Sequence, residues 1–144
     1  MRKNIPSFNP DSKTCIFLDT NILLNLIKEN WYLESLIQQT TTESYKFVVP
    51  KFILEELRGV KEKKTIKNGA IRFVEEKTEI LDDSAYLSSS DYNRPIDDLL
   101  ILLALTIPCK KYIMTQDMKL KDNILQAGLS VLFITYGKAK ILRP

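Results

Sequence analysis

Short apolar runs alternating with segments of helical spacing constrain this chain more than any other feature. CIFL at 15–18, KFVV at 46–49, YIM at 112–114 and SVLFI at 130–134 have the length and content of buried strands. Between them, 21–28 and 31–40 carry apolar residues three and four apart, with a break at Glu29 and Asn30. Pro50 suits a helix start, after which Ile53, Leu57 and Val60 fall on one inward stripe. Residues 70–77 read as an amphipathic helix, 79–81 as a short strand, and 119–126 as a helix that Gly128 stops. The alternation predicts an α/β fold of three layers, a parallel sheet of about five strands between helices. Residues 97–107 are apolar nearly all round, which predicts a central helix buried on most sides. DDSAYLSSSDYNR at 82–94 is polar and turn-rich, and reads as a surface loop. Residues 1–14 read as a tail or edge segment, 15–137 as one domain, and 138–144 as a short basic C-terminal tail.

Composition narrows the chemistry. A chain of 144 residues, 44% hydrophobic and 27% charged, suits one domain with one core. Its apolar runs are too short to span a bilayer and its first residues lack an apolar signal core, so the expectation is a cytoplasmic protein without a membrane partner. Cys15 and Cys109, the two cysteines, read as buried thiols and suggest neither a disulfide framework nor a cysteine metal site. The absence of histidine removes the usual general base and the commonest transition-metal ligand. Any catalysis then rests on carboxylates, hydroxyls or lysines. A formal charge of +3 is compatible with a nucleic-acid partner.

The acids lie where such a sheet would gather them. Asp19 ends the first strand, Asp117 follows the strand at 112–114, Glu56 lies in the helix after the second strand, and Asp97 opens the central helix. Ligands of open parallel sheets bind outside the carboxyl ends of the strands, so these four can meet at one rim. Their repulsion there is costly unless a cation neutralises it. Helix capping accounts for Asp97, Asp98 or Asp117 without any function. On a helical wheel Glu56 neighbours Phe52, Ile53 and Val60, whereas Glu55 neighbours Lys51, Arg58 and Gly59, so Glu56 is the better site candidate. Periodicity does not separate Asp97 from Asp98. Hard oxygen ligands suit one or two Mg²⁺ or Mn²⁺ ions, which activate water and stabilise charge on a phosphodiester.

FLDTNILL, VVPKFILEEL, DDLLILLAL and IMTQD, in that order, resemble the successive motifs of the PIN-domain ribonucleases over about residues 15–134. The resemblance implies a parallel sheet between helices and metal-dependent cleavage of RNA. It matches Asp19, Glu56, Asp97 and Asp117 to the family's four acids, with Asp98 as the alternate, and Asn21 and Thr115 to the polar positions that support them. The implied partners are RNA, a ribosome-assembly protein or an antitoxin, and a second copy in a homodimer.

Two settings follow from the resemblance: processing of precursor ribosomal RNA, which the ending GLSVLFITYGKAKILRP favours, or a toxin of a toxin–antitoxin pair. A catalytically silent RNA-binding scaffold of the same fold is the reading outside the enzymes. An aspartyl-nucleophile phosphatase needs a second Asp where Asn21 stands, and a phosphate-accepting receiver domain pairs two acids near its N-terminus, which this sequence does not. The basic residues Lys61, Lys63, Lys64 and Lys67, and later Lys138, Lys140 and Arg143, are separate in sequence from the acids and are candidates for backbone contacts with RNA.

Overall fold

β1 (Thr14–Leu18) is buried along its whole length, and the sheet extends from both of its edges. The computed structural model describes residues 13–144. After β1 come α1 (Thr20–Lys28), α2 (Leu33–Gln38), β2 (Tyr45–Pro50), α3 (Lys51–Gly59), α4 (Lys64–Lys77) and β3 (Glu79–Leu81). Two short 3-10 turns (Asp83–Ala85 and Ser89–Asn93) lead to α5 (Ile96–Thr106), β4 (Lys111–Thr115), α6 (Met118–Gln126), β5 (Val131–Thr135) and β6 (Lys138–Leu142). The spatial order is β3-β2-β1-β4-β5-β6, parallel throughout except for the antiparallel pair β5–β6. The chain runs outward from β1 to β3, then crosses back to β4 and continues the other way, so the switch point lies between β1 and β4. Right-handed crossovers place α1, α3 and α4 together on one face and α6 on the other. Buried Phe17, Val48, Ile113 and Leu132 line the strands between these layers.

Three expectations are corrected. Residues 138–144 are not a tail: Lys138–Leu142 is a sixth strand paired with β5 from Thr135↔Lys138 to Val131↔Leu142. Tyr136 at φ 52° and Gly137 at φ 72° make the two-residue turn with both residues left-handed, the geometry that joins twisted strands most readily. The alternation of lysine with Ala139 and Ile141 puts charge on one side and apolar packing on the other, and edge lysines also discourage further strand pairing. The second correction concerns the central helix. α5 buries Leu99, Leu100, Leu103 and Ala104, but leaves Leu105 51% exposed and Ile101 and Leu102 half-buried. The third lies at the N-terminus: Thr14 is the first residue of β1, and the rest of the 1–14 expectation, apart from exposed Lys13, falls outside the described residues.

The loop at 82–94 is organised by one carboxylate. Asp83, 4% exposed, accepts from the Phe52 backbone N–H at 3.0 Å and from the Tyr92 hydroxyl at 2.5 Å. It caps the first turn of α3, where Pro50 offers no side-chain cap, and ties that turn to the segment leading into α5. Burial and the Asp83 charge push the Tyr92 phenol well above its ordinary pKa, which keeps it a proton donor. The far end of α5 is closed by Lys111, whose ammonium donates to the carbonyls of Ala104 (2.5 Å) and Ile107. Among the described residues, no helix is long and apolar enough to cross a membrane.

One-sided burial of α5 has a measurable consequence. Leu100→Ala, at a fully buried position, should cost about 2–5 kcal/mol in urea unfolding. Leu105→Ala should cost about 0.5 kcal/mol or less. Equal losses at the two positions would show that the outer face of α5 is covered.

Candidate active site

The strands deliver the acids to one edge. Asp19 follows β1 directly and is the N-cap of α1, its Oδ1 accepting from the Ile22 N–H at 2.7 Å. Its Oδ2 accepts from the Thr115 hydroxyl at 2.8 Å, at the end of the neighbouring strand β4. The same hydroxyl oxygen accepts from the Asp117 N–H at 3.0 Å, and Asp117 in turn caps α6 through its Oδ1 and the Leu120 N–H at 2.8 Å. One fully buried hydroxyl therefore fixes two acids on either side of the switch point. Capping and site membership coexist here, because each cap uses one carboxylate oxygen.

Asp97 and Asp98 lie in the first turn of α5 but neither caps it; the N-cap is Pro95 and has no side-chain bond. A cleft of about 150 Å³ is lined by Asp19, Thr20, Asn21, Glu56 and Asp97, with Ile53, Val60 and Ile96 as its apolar wall. Asp98 and Asp117 are not among its lining residues. Glu56 is half-buried and accepts from the Thr20 hydroxyl, so α1 orients the acid carried by α3. Sequence reasoning weighed Asn21 and Thr115 as supports and missed Thr20; its signal was a hydroxyl within the DTN triplet, at the first position of a helix. Asn25 and Gln116 were missed as well, and their side chains join α1 to the segment after β4 at 2.5 Å.

The electrostatics record the crowding. Asp19 is 6% exposed, and its pKa is raised to about 6, first by burial and further by the carboxylates of Asp97 and Asp117; the bonds from Ile22 and Thr115 oppose the shift. Asp97 is raised too, by burial first and then by Asp117, Glu56 and Asp98, against a weaker pull from Lys119. Among the described residues none of these five acids forms an ion pair. The donor set is all hard oxygen and carries uncompensated negative charge, which fits a divalent cation of the Mg²⁺ or Mn²⁺ kind. Among the described residues no three acids are already gathered into a ligand set. The fit is one of chemistry and field, and binding requires the rim side chains of Glu56, Asp97 and Asp117 to turn inward.

The basic candidates divide. Lys61, Lys63 and Lys64 are exposed around the start of α4, and Lys67 Nζ donates to the carbonyl of Val60, a cleft residue, at 3.4 Å. This run borders the acids, held to α1 by the Lys28–Glu62 ion pair at 2.5 Å. On β6, Lys138 pairs with Thr135 near the carboxyl edge and Lys140 with Phe133. Arg143 follows Leu142, the partner of the first residue of β5, and lies at the opposite edge beside the Tyr112 hydroxyl.

The chain has the fold of a PIN domain. It superposes on the structure of the PIN domain endonuclease Utp24 with a TM-score of 0.71 at 17% identity, covering 94% of this chain and 96% of that one. It also superposes on VapBC2 from Rickettsia felis, solved bound to a DNA fragment from their promoter, with a TM-score of 0.57 at 16% identity over 85% of this chain and 100% of that one. No family model and no curated protein matches the sequence.

The raised Asp19 pKa fixes the sign of a pH effect. Between its ordinary value of 3.8 and about 6 the folded state binds the proton more tightly than the unfolded chain, so this contribution to stability is lost as pH rises through that window. In chelator, unfolding free energy should fall more steeply with pH across this range in the parent protein than in Asp19→Asn. Parallel pH profiles would mean that Asp19 is not under strain.

Proposed function

We propose that this chain is a metal-dependent endoribonuclease in which Asp19, Glu56, Asp97 and Asp117 hold Mg²⁺ or Mn²⁺. The observation that carries the reading is the buried Asp19 carboxylate, which shares Thr115 with Asp117 and has its pKa raised by burial first and then by the acids around it. A bound cation of this kind activates water and stabilises charge on the phosphodiester, work that a chain without histidine otherwise lacks a group to do. The protein's own part is orientation. Thr115 holds the Asp19 carboxylate in one rotamer, Thr20 holds Glu56, and the apolar wall of Ile53, Val60 and Ile96 limits water beside them. Asp97 enters from the separate α5 segment that Asp83 and Tyr92 tie to α3. The PIN fold shared with the endonuclease Utp24 supports the nuclease reading. The setting we favour is processing of precursor ribosomal RNA, on the sequence resemblance of the C-terminal region.

The test is cleavage of RNA by the purified chain with Mn²⁺ or Mg²⁺ and in chelator. Asp19→Asn and Asp97→Asn should each reduce kcat/KM by at least roughly 100-fold, the scale of losing one group that stabilises transition-state charge. Thr115→Val should cost roughly 10- to 100-fold, as loss of an outer partner does. Cleavage that persists in chelator, or equal activity in all variants, would refute the assignment.

A further inference from the structure

Next to the acids, on the β4–β5 side of the switch point, lies a second cleft of about 810 Å³ that the proposed reaction does not use. Gln116 and Met118, which flank Asp117, form its near wall, and Trp31, Phe133 and Tyr136 supply three aromatic rings. The ring of Tyr136 is 97% exposed at the tip of the β5–β6 turn, and Met118 is 66% exposed. Of the five large hydrophobic side chains exposed among the described residues, these two face one cleft. Two lysines accompany them. Lys121 has its ammonium 5.3 Å from the centre of the Phe133 ring, and Lys140 stands opposite Phe133 on β6. Glu29, at the end of α1, is the acid in the lining, and Lys121 is 3.2 Å from Asp122.

An exposed aromatic ring costs solubility and contributes nothing to the core of this hairpin. The turn itself needs only residues that accept left-handed backbone, for which tyrosine is a poor choice. Rings interleaved with lysines match a chain that offers flat bases and a phosphate backbone together. Duplex RNA does not offer the bases, because they are stacked on each other. Position decides the rest. Neighbouring strands are about 4.8 Å apart, so the end of β5 lies one strand spacing beyond the end of β4, where Asp117 follows.

We infer that this cleft is a stacking subsite for single-stranded RNA, in which bases adjoining the scissile phosphate pack on Tyr136 and Trp31 while Lys121 and Lys140 meet the backbone. The inference rests on the nuclease reading for its substrate class and adds how the strand is held. It assigns affinity to three residues that are not among the basic candidates read from the sequence, Tyr136, Trp31 and Lys121, and gives Arg143 no part. Stacking is tolerant of sequence, so the subsite selects unpaired RNA and not a particular base.

The experiment is anisotropy titration, in chelator, of the full chain with a labelled unstructured RNA of about ten nucleotides, a length within known single-strand site sizes. Tyr136→Asn keeps a residue that accepts positive φ and removes the ring; it should weaken binding roughly 5-fold or more. Tyr136→Phe should bind like the parent. Lys140→Ala should lower the slope of log K against log salt by about 0.7, one single-strand phosphate contact. The same RNA annealed to its complement should bind indifferently to Tyr136→Asn. Parent-like affinity of Tyr136→Asn for the single strand, or an equal loss for the duplex, overturns the subsite. The nuclease reading fails separately: Tyr136-dependent binding with no cleavage in any divalent cation keeps the subsite and removes the chemistry, whereas cation-dependent cleavage with binding indifferent to Tyr136 does the reverse.

Discussion

The site depends on keeping one carboxylate charged where burial opposes it. Asp19 is nearly inaccessible at the end of a fully buried strand, and the shift of its pKa to about 6 corresponds to roughly 3 kcal/mol of bias toward the protonated form. Two hydrogen bonds, from Ile22 and Thr115, are too few to cancel that bias. A cation bound only by the folded state contributes about 2.7 kcal/mol at a concentration near 100 Kd, enough to offset most of it. On the proposed function, a divalent ion at this carboxyl edge would offset the bias, and that would give four separate chain segments a reason to carry acids there.

Much of this was legible because two periods alternate. Asp19 directly follows one apolar run and Asp117 comes shortly after another, and once those runs are read as strands of a parallel sheet both acids fall at its carboxyl rim. The choice of Glu56 over Glu55 rested on the inward stripe of α3; Glu55 is exposed, and Glu56 lines the acidic cleft. Where one period ran out, the reading lost resolution. KAKIL has the alternation of an edge strand, but its lysines look the same as those of a tail until the left-handed Tyr136-Gly137 turn brings it back to β5. α5 is so uniformly leucine-rich that its sequence carries no sidedness, and only its neighbours decide that Leu100 is buried and Leu105 is not.

Long-range hydrogen-bond partners were the least visible class. Thr20 and Asp83 act across long sequence separations, on Glu56 and on the Phe52 N–H, and nothing local to either residue announces its partner. Asp83 shows that an acid inside a polar loop can be a buried structural anchor, here joining the helix that carries Glu56 to the segment that delivers Asp97. The edge of the sheet thus divides its work: acids over β1 and β4, lysines after α3, and aromatic rings over β5. Lys138 and Lys140 have a structural duty as well, since they guard the free side of β6.

Whether these acids share a cation is read out by growing crystals with Mn²⁺ and calculating the anomalous difference map. The expected result is a manganese peak coordinated by the Asp19 carboxylate together with Asp97 or Asp117, with the rim side chains rotated toward it. Manganese bound elsewhere, with Asp19, Asp97 and Asp117 lacking any peak between them, would contradict it.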